Sequence, residues 1–326
     1  MSHNISETSG RPEMFYTGER PWHGLGTELA QPATAAEAIE AARMGWEVKK
    51  VPVHLPDGVE IPGHYATVRE DTGTPLGVVG EQYQPIQNKE AFSFFDSVVG
   101  EGQAIYHTAG SLGQGERVWI LAKLPEIIRV TVEDVVEEFL LLTNSHNGWS
   151  SLRMFYTPVR VVCQNTLNMA LGGAARKGIA IRHSGNIRGK IGEAQRALGL
   201  AREFYSEFAE VAELCRKQEL AMKQLDTYLK AVMPDPKDGR ISARAQNVRQ
   251  EMARLFETGK GNALPGVRGT LWAALNAVAE YADHVRVPRA KDPADRASNR
   301  LEGIWFGSGA TLKARAWDQA LALVKQ

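Results

Sequence analysis

The chain contains little cysteine and no long apolar run. Two cysteines among 326 residues cannot form a disulfide framework, which excludes a small disulfide-rich secreted domain and makes a reducing cytosol the expected environment. No stretch approaches the roughly 18 apolar residues of a membrane-spanning helix, and the first dozen residues lack the apolar centre of a signal peptide. We therefore expect a cytoplasmic protein without a membrane partner.

Motifs of the common enzyme classes are also missing. The sequence has no G-x-x-x-x-G-K-[ST], no G-x-G-x-x-G after a strand and no G-x-S-x-G. Its eight histidines lack the spacing of a zinc site. We therefore expect no cofactor and no resident metal. One alternative for chemistry is the cluster of Glu280, Asp283 and His284, which can bind a metal ion or shuttle a proton, or can simply cap and bridge neighbouring helices.

A net charge of zero conceals a strong asymmetry between the two halves of the chain. Residues 1–150 carry 10 Lys and Arg against 21 Asp and Glu, whereas residues 151–326 carry 28 against 17. Residues 151–192, which we call the basic segment, contain seven basic residues and no acidic one. Such a single-sign segment is typical of an anion-binding surface, although chance variation in surface charge can produce the same pattern.

The basic segment also carries aromatic residues. Arginines contact phosphates and exposed aromatic rings stack on bases, which is how proteins hold single strands without reading their sequence. Strand alternation places one of Phe155 and Tyr156 on the outer face and the other in the core. The candidate nucleic-acid-binding residues are Arg153, Tyr156, Arg160, Arg176, Lys177, Arg182, Arg188 and Lys190.

Residues 138–157 contain the strongest local signal. An Asn-Gly pair at positions 147–148 separates two runs that are typical of strands. Asn-Gly favours a two-residue type I′ turn, because both central positions of that turn need a positive φ. The sequence therefore predicts a tight hairpin in which Phe139 faces Tyr156.

Hydrophobic periodicity divides the chain into a mixed part and a helical part. The mixed part includes an amphipathic run that predicts a helix from Pro158 to Leu171. From Ile187 apolar residues recur in steps of three and four, which predicts one long helix to about Met233. We predict an α+β fold: a loose tail over 1–13, a mixed β-sheet core with interspersed helices over 14–185, and an all-helical region with one long helix over 186–326.

Two smaller features have both a functional and a structural interpretation. Gly307-Ser308-Gly309 precedes the last predicted helix, with Lys313 nearby, and can bind an anion or simply start the helix. Cys163 and Cys215 lie on apolar faces of predicted helices, so we expect core packing rather than nucleophilic chemistry.

Several motifs together resemble a known family. They are PWHGLG near the start, TNSHNG followed by PVRVVCQNTL, GTLWAALNAVAEYADH, and FGSGATLKARA near the end. The combination resembles the uncharacterised "phage and plasmid-like protein" family, which carries a domain of unknown function. This resemblance implies a mobile element in a bacterial host. The order of elements is also similar to that of the single-strand annealing protein superfamily.

These observations give one leading hypothesis and two alternatives. The leading hypothesis is a non-enzymatic single-stranded-DNA-binding protein that promotes annealing or recombination. It would form a homo-oligomer, because the acidic half of one copy can meet the basic half of the next. The alternatives are a metal-dependent nuclease or hydrolase that uses Glu280, Asp283 and His284, and an anti-host or regulatory module that binds a protein through the long helix.

Overall fold

The computed structural model describes most of the chain, namely residues 5–18, 25–31, 33–99, 105–160, 165–166, 179–184, 187–236, 240–287, 303–304 and 307–325. The strands of this part are β1 (Met14–Thr17), β2 (Thr27–Leu29), β3 (Val48–His54), β4 (Glu60–Arg69), β5 (Pro75–Gly80), β6 (Ile105–Leu112), β7 (Arg117–Arg129), β8 (Val135–Ser145), β9 (Leu152–Arg160), β10 (Asn165–Thr166) and β11 (Ile179–Ile181).

The helices lie mostly in the C-terminal part of the chain. They are α1 (Ala35–Ala41), α2 (Asn88–Val99), α3 (Ile191–Lys217), α4 (Met222–Val232), α5 (Ala243–Thr258), α6 (Leu271–Glu280) and α7 (Ser308–Val324). A 3-10 turn over Ile187–Lys190 precedes α3, and a π-helical turn over Tyr281–Val285 follows α6. The predicted α+β fold is therefore confirmed, and no helix in the described part of the chain is both long and apolar enough to cross a bilayer.

Two sheets organise the strand-rich part. The large sheet has the order β10-β9-β8-β7-β6-β1-β2, with β11 also paired to β9, and all its pairs are antiparallel except β1 with β2. The small sheet is the antiparallel meander β3-β4-β5. Because β6, β7, β8 and β9 follow each other as hairpins, the centre of the large sheet is built from neighbouring sequence.

The helices cover one face of the large sheet. Val118, Ile120 and Leu140 belong to the same core cluster as Phe208 of α3 and Trp272 of α6. Polar contacts fix this packing, because the hydroxyl of Tyr205 donates to the Phe139 carbonyl at 3.2 Å and the indole N–H of Trp272 donates to Asp134 Oδ2 at 2.7 Å. Alternate residues of β7 and β8 face the other way and form a second apolar cluster, which includes Trp119, Leu121, Phe139 and Leu141.

The hairpin of β8 and β9 forms where it was predicted, but its turn and register differ from the prediction. Phe139 pairs with Thr157 rather than Tyr156, a shift of one residue. The strands end at Ser145 and Leu152, so a six-residue loop replaces the two-residue turn. Gly148 has φ of 80°, whereas Asn147 is not among the residues with positive φ. The Asn147 side chain instead accepts the Trp149 backbone N–H at 3.1 Å, an Asx turn that the type I′ prediction did not consider.

Two helix predictions are wrong. Of the run expected to be helical from Pro158 to Leu171, residues 158–160 belong to β9 and residues 165–166 form β10. Arg160 pairs with Val136 of β8. The other residues of the run lie outside the described part of the structure. The β-branched residues of the run suit a strand as well as a helix face, and pairing with β8 decides between them. The long helix ends at Lys217 instead of Met233, because Leu220 donates its N–H to the Gly269 carbonyl and breaks the helix.

Residues 5–13 correct the expectation of a loose N-terminal tail. Ile5 and Ser6 are buried, and the Ser6 N–H donates to the Ser111 carbonyl at 2.8 Å. Glu13 is fully buried and forms a bidentate pair with Arg69 of β4, at 3.0 and 3.1 Å. This pair joins the small sheet to the N-terminal segment and the large sheet.

Candidate nucleic-acid interface

Two arginines of the basic segment lie side by side on one face of the large sheet. Arg153 of β9 pairs with Thr143 of β8 and with Ala180 of β11. Arg182 lies two residues beyond Ala180, so strand alternation directs it to the same face as Arg153. Both arginines are exposed, and no carboxylate of the described residues forms an ion pair with either. The two guanidinium groups therefore present positive charge that the described part of the chain does not neutralise.

An exposed tryptophan lies in the loop that leads into β9. The side chain of Trp149 is 87% exposed, although its backbone N–H is fixed by Asn147 Oδ1. Tryptophan is enriched at binding interfaces, where its large ring buries apolar area, so Trp149 is a candidate contact residue. The Asn-Gly pair predicted the hairpin, but no sequence pattern singled out Trp149, which follows that pair directly. We call Trp149, Arg153 and Arg182 the loop surface.

Side chains that precede α2 or start it hold the β8–β9 loop in place. The hydroxyl of Tyr83 donates to the Ser145 carbonyl at 2.8 Å, and its ring stacks on His183 with centroids 4.7 Å apart. On the other side, His146 is buried and bonds to Asn88 Oδ1 at 3.1 Å. Ser145 and His146 of the TNSHNG motif thus hold the loop against Tyr83 and against the start of α2. The histidine of the motif therefore has a structural role.

Close packing of the β8–β9 loop against the small sheet also holds this loop in place. A Cβ atom on Gly77 of β5 would come within 2.6 Å of the Asn147 Cα. A Cβ atom on Gly148 would come within 2.8 Å of Val79 Cγ1. Both glycines therefore allow a close approach of the loop to the small sheet, which fixes the position of Trp149.

One residue predicted to bind nucleic acid is buried, and several others lie wholly or partly outside the described part of the structure. Tyr156 is only 6% exposed and meets the ring of Tyr205 edge-on at 5.9 Å, and Phe155 is also buried, so the expectation that one of the pair is exposed is wrong. Lys190 is exposed at the end of the 3-10 turn. Arg160 ends β9 and Arg188 lies in that turn, but their side chains fall outside the described part of the structure, as do Arg176 and Lys177 entirely.

Glu280, Asp283 and His284 do not form a common site. Asp283 is 3% exposed, and its Oδ1 accepts a bond from the fully buried Lys313 ammonium at 2.8 Å. Glu280 accepts the backbone N–H of Lys260 at 3.1 Å, whereas His284 is exposed. The π-helical turn explains the separation, because its i→i+5 bonds break the regular helical spacing on which the prediction rested.

The other candidates for chemistry are equally structural. Among the residues described, no group of three or more His, Cys, Asp or Glu can hold a metal ion. Cys215 is buried, and burial raises the pKa of its thiol to about 12, which opposes nucleophilic chemistry. The predicted core position of Cys215 is confirmed, while Cys163 lies outside the described residues.

The sequence matches the family model of a domain of unknown function (DUF932) over residues 75–305. This match covers most of the chain, and the chain belongs to that family. Comparisons with curated proteins and with solved structures gave no significant match.

Proposed function

We propose that this member of the DUF932 family binds single-stranded DNA through the loop surface and acts in strand annealing or recombination for a phage or plasmid. The carrying observation is the exposed Trp149 in the loop that leads to Arg153, together with two exposed arginines that have no carboxylate partner among the described residues. An indole that stacks on a base and guanidinium groups that contact phosphates are the two elements of sequence-independent strand binding. The motif resemblance supports the mobile-element setting and a bacterial cytoplasm as its location.

Trp149 gives the proposal its most specific test. Stacking contributes about 1–3 kcal/mol per base, so Trp149→Ala is expected to weaken binding of labelled oligo(dT) by about 5- to 160-fold in fluorescence anisotropy. Its backbone bond to Asn147 does not depend on the indole, so the loop will keep its shape. Affinity of the variant equal to that of the wild type would contradict the stacking role.

A matched control is available in the same sheet. Arg129 is an exposed arginine at the far end of β7, on the opposite end of the sheet from the β8–β9 loop. Arg129→Ala removes one guanidinium charge, as a substitution of Arg153 or Arg182 does, but it is expected to leave oligo(dT) affinity unchanged. Tighter binding of a duplex than of oligo(dT) would contradict the preference for single strands.

We also propose a head-to-tail homo-oligomer, supported by the opposite charges of the two halves of the chain. Attraction between exposed charges is screened by salt. Light scattering after size exclusion is therefore expected to show larger species at low salt and smaller species at high salt. A single monomeric mass at every salt concentration would contradict oligomer formation.

A further inference from the structure

A second basic feature lies in the helical region, away from the loop surface. A concave pocket of about 220 Å³ opens where α5, the π-helical turn and the start of α7 meet. Three arginines line it: Arg244 of α5, Arg286 just after the π-helical turn, and Arg315 of α7. Tyr281, Ser308 and Thr311 complete its polar lining, and no carboxylate of the described residues lines it.

None of the three guanidinium groups forms an ion pair with an acidic side chain that the structure describes. Arg315 donates to the Val232 carbonyl at 3.0 Å, which orients it. Within the described part of the chain, neither Arg244 nor Arg286 has a carboxylate partner, and the phenol of Tyr281 is the side chain that interacts with both. Glu251, the acidic group whose charge reaches Tyr281, is held by Arg254 through two bonds of 2.6 and 2.9 Å. Among the residues that the structure describes, the pocket therefore brings three positive charges together without a carboxylate to neutralise them.

Burial, with a smaller contribution from Arg244, lowers the pKa of the Arg286 guanidinium. Such a shift means that the folded protein disfavours the charge at this position. Natural surfaces usually intersperse charges of both signs. An anionic ligand would relieve the repulsion between Arg244 and Arg286.

The start of α7 adds a further attraction for an anion. The helix begins at Ser308 after Gly307, and no side chain caps it. The first N–H groups of a helix have no intrahelical acceptor, and the helix dipole favours negative charge there. Lys313, which the sequence suggested as a partner for such an anion, is instead buried against Asp283. The arginines that line the pocket therefore supply the positive charge near the start of α7.

We propose that this pocket binds a small phosphate ester, with Arg244, Arg286 and Arg315 as ligands to the phosphate. Guanidinium groups suit phosphate oxygens because they form two parallel charge-assisted bonds. The volume of the pocket indicates whether its ligand is a small molecule or a nucleic-acid strand. At about 220 Å³ the pocket is smaller than the roughly 300–1,000 Å³ of common ligand sites, so it suits one or two phosphoryl groups rather than a nucleic-acid strand.

Isothermal titration of the full chain with pyrophosphate and with a nucleoside monophosphate tests the proposal. Loss of a charge-assisted bond to phosphate corresponds to about a 10-fold loss in affinity. Arg244→Gln is therefore expected to weaken binding about 10-fold, and the double variant with Arg286→Gln more strongly. Arg268→Gln, an exposed arginine outside the pocket, is the matched control and is expected to bind like the wild type.

Each other outcome overturns the proposal. One such outcome is that the wild type binds neither pyrophosphate nor the nucleoside monophosphate. Another is that Arg268→Gln loses as much affinity as Arg244→Gln. The third is that the pocket variants melt like the wild type and bind the probes with unchanged affinity. Because Arg244 is exposed and has no carboxylate partner within the described residues, its variant is expected to fold normally. Loss of oligo(dT) affinity in the Arg244 variant, without pyrophosphate binding by the wild type, would assign the pocket to the strand instead. Variants of the loop surface are expected to bind pyrophosphate normally, so this proposal and the DNA-binding proposal can fail separately.

Discussion

Protonation of the buried His146 should destabilise the protein in mild acid. Asn88 Nδ2 donates to the carbonyls of Met44 and Trp46, so its Oδ1 is an acceptor and His146 Nε2 must carry the proton. The other ring nitrogen, Nδ1, is buried without a hydrogen-bond partner. Burial, with smaller contributions from the charges of His183 and Arg69, lowers the pKa of His146 to about 3.

The sign and size of the effect follow from linkage. Between the unfolded pKa of about 6.5 and the folded value, only the unfolded chain binds the proton, so the stabilising contribution is present above pH 6.5 and is lost as the pH falls. One pKa unit corresponds to about 1.4 kcal/mol, so from pH 7.5 to 5.0 the loss from His146 is about 2 kcal/mol.

The assay compares the wild type with His146→Gln, which removes the titration but can still donate to Asn88. Urea unfolding at pH 7.5 and 5.0 is expected to show that the variant loses about 2 kcal/mol less than the wild type. Glu138, whose pKa burial raises to about 7, acts in the opposite direction but is common to both proteins. His64→Gln, at an exposed site of β4, controls for the loss of a histidine. Equal losses for wild type and His146→Gln would refute the reasoning.

Two further predictions concern the junction of the sheets. Arg69→Ala leaves Glu13 charged and buried, so urea unfolding should show a loss of about 3–5 kcal/mol, partly recovered by adding Glu13→Gln; full stability of the single variant would contradict the role of this pair. Gly148→Val forces a β-branched residue to a φ of 80° and brings its Cβ against Val79, so the melting temperature should fall with a loss of about 2–4 kcal/mol. An unchanged melting temperature would contradict the loop geometry.

The sequence predicted elements that depend on local chemistry. Thr34 and Glu37 have the three-residue spacing of a capping box, and they form one with bonds of 3.3 Å and 2.8 Å at the start of α1. The β8–β9 hairpin likewise forms at the Asn-Gly pair that predicted it, although its turn and register differ. These features are fixed by residues a few positions apart, which is the information that one sequence contains.

The errors arose where distant parts of the chain decide the local structure. Val159 has the periodicity of a helix face, but pairing with Glu137 extends β9 through it. The turn at Asn147 is set by a side-chain bond to the backbone and by the nearby small sheet. The buried pair of Asp283 and Lys313 could not be foreseen, because 30 residues separate its members.

The salt dependence of DNA binding is the most direct test of the proposed function. Each phosphate contact to a single strand contributes about −0.7 to the slope of log affinity against log salt. Replacing Arg153 and Arg182 together by Ala is therefore expected to weaken oligo(dT) binding and to reduce the slope by about 1.4, whereas Arg129→Ala should keep the wild-type slope. An unchanged slope and affinity in the Arg153/Arg182 variant would contradict DNA binding by the loop surface.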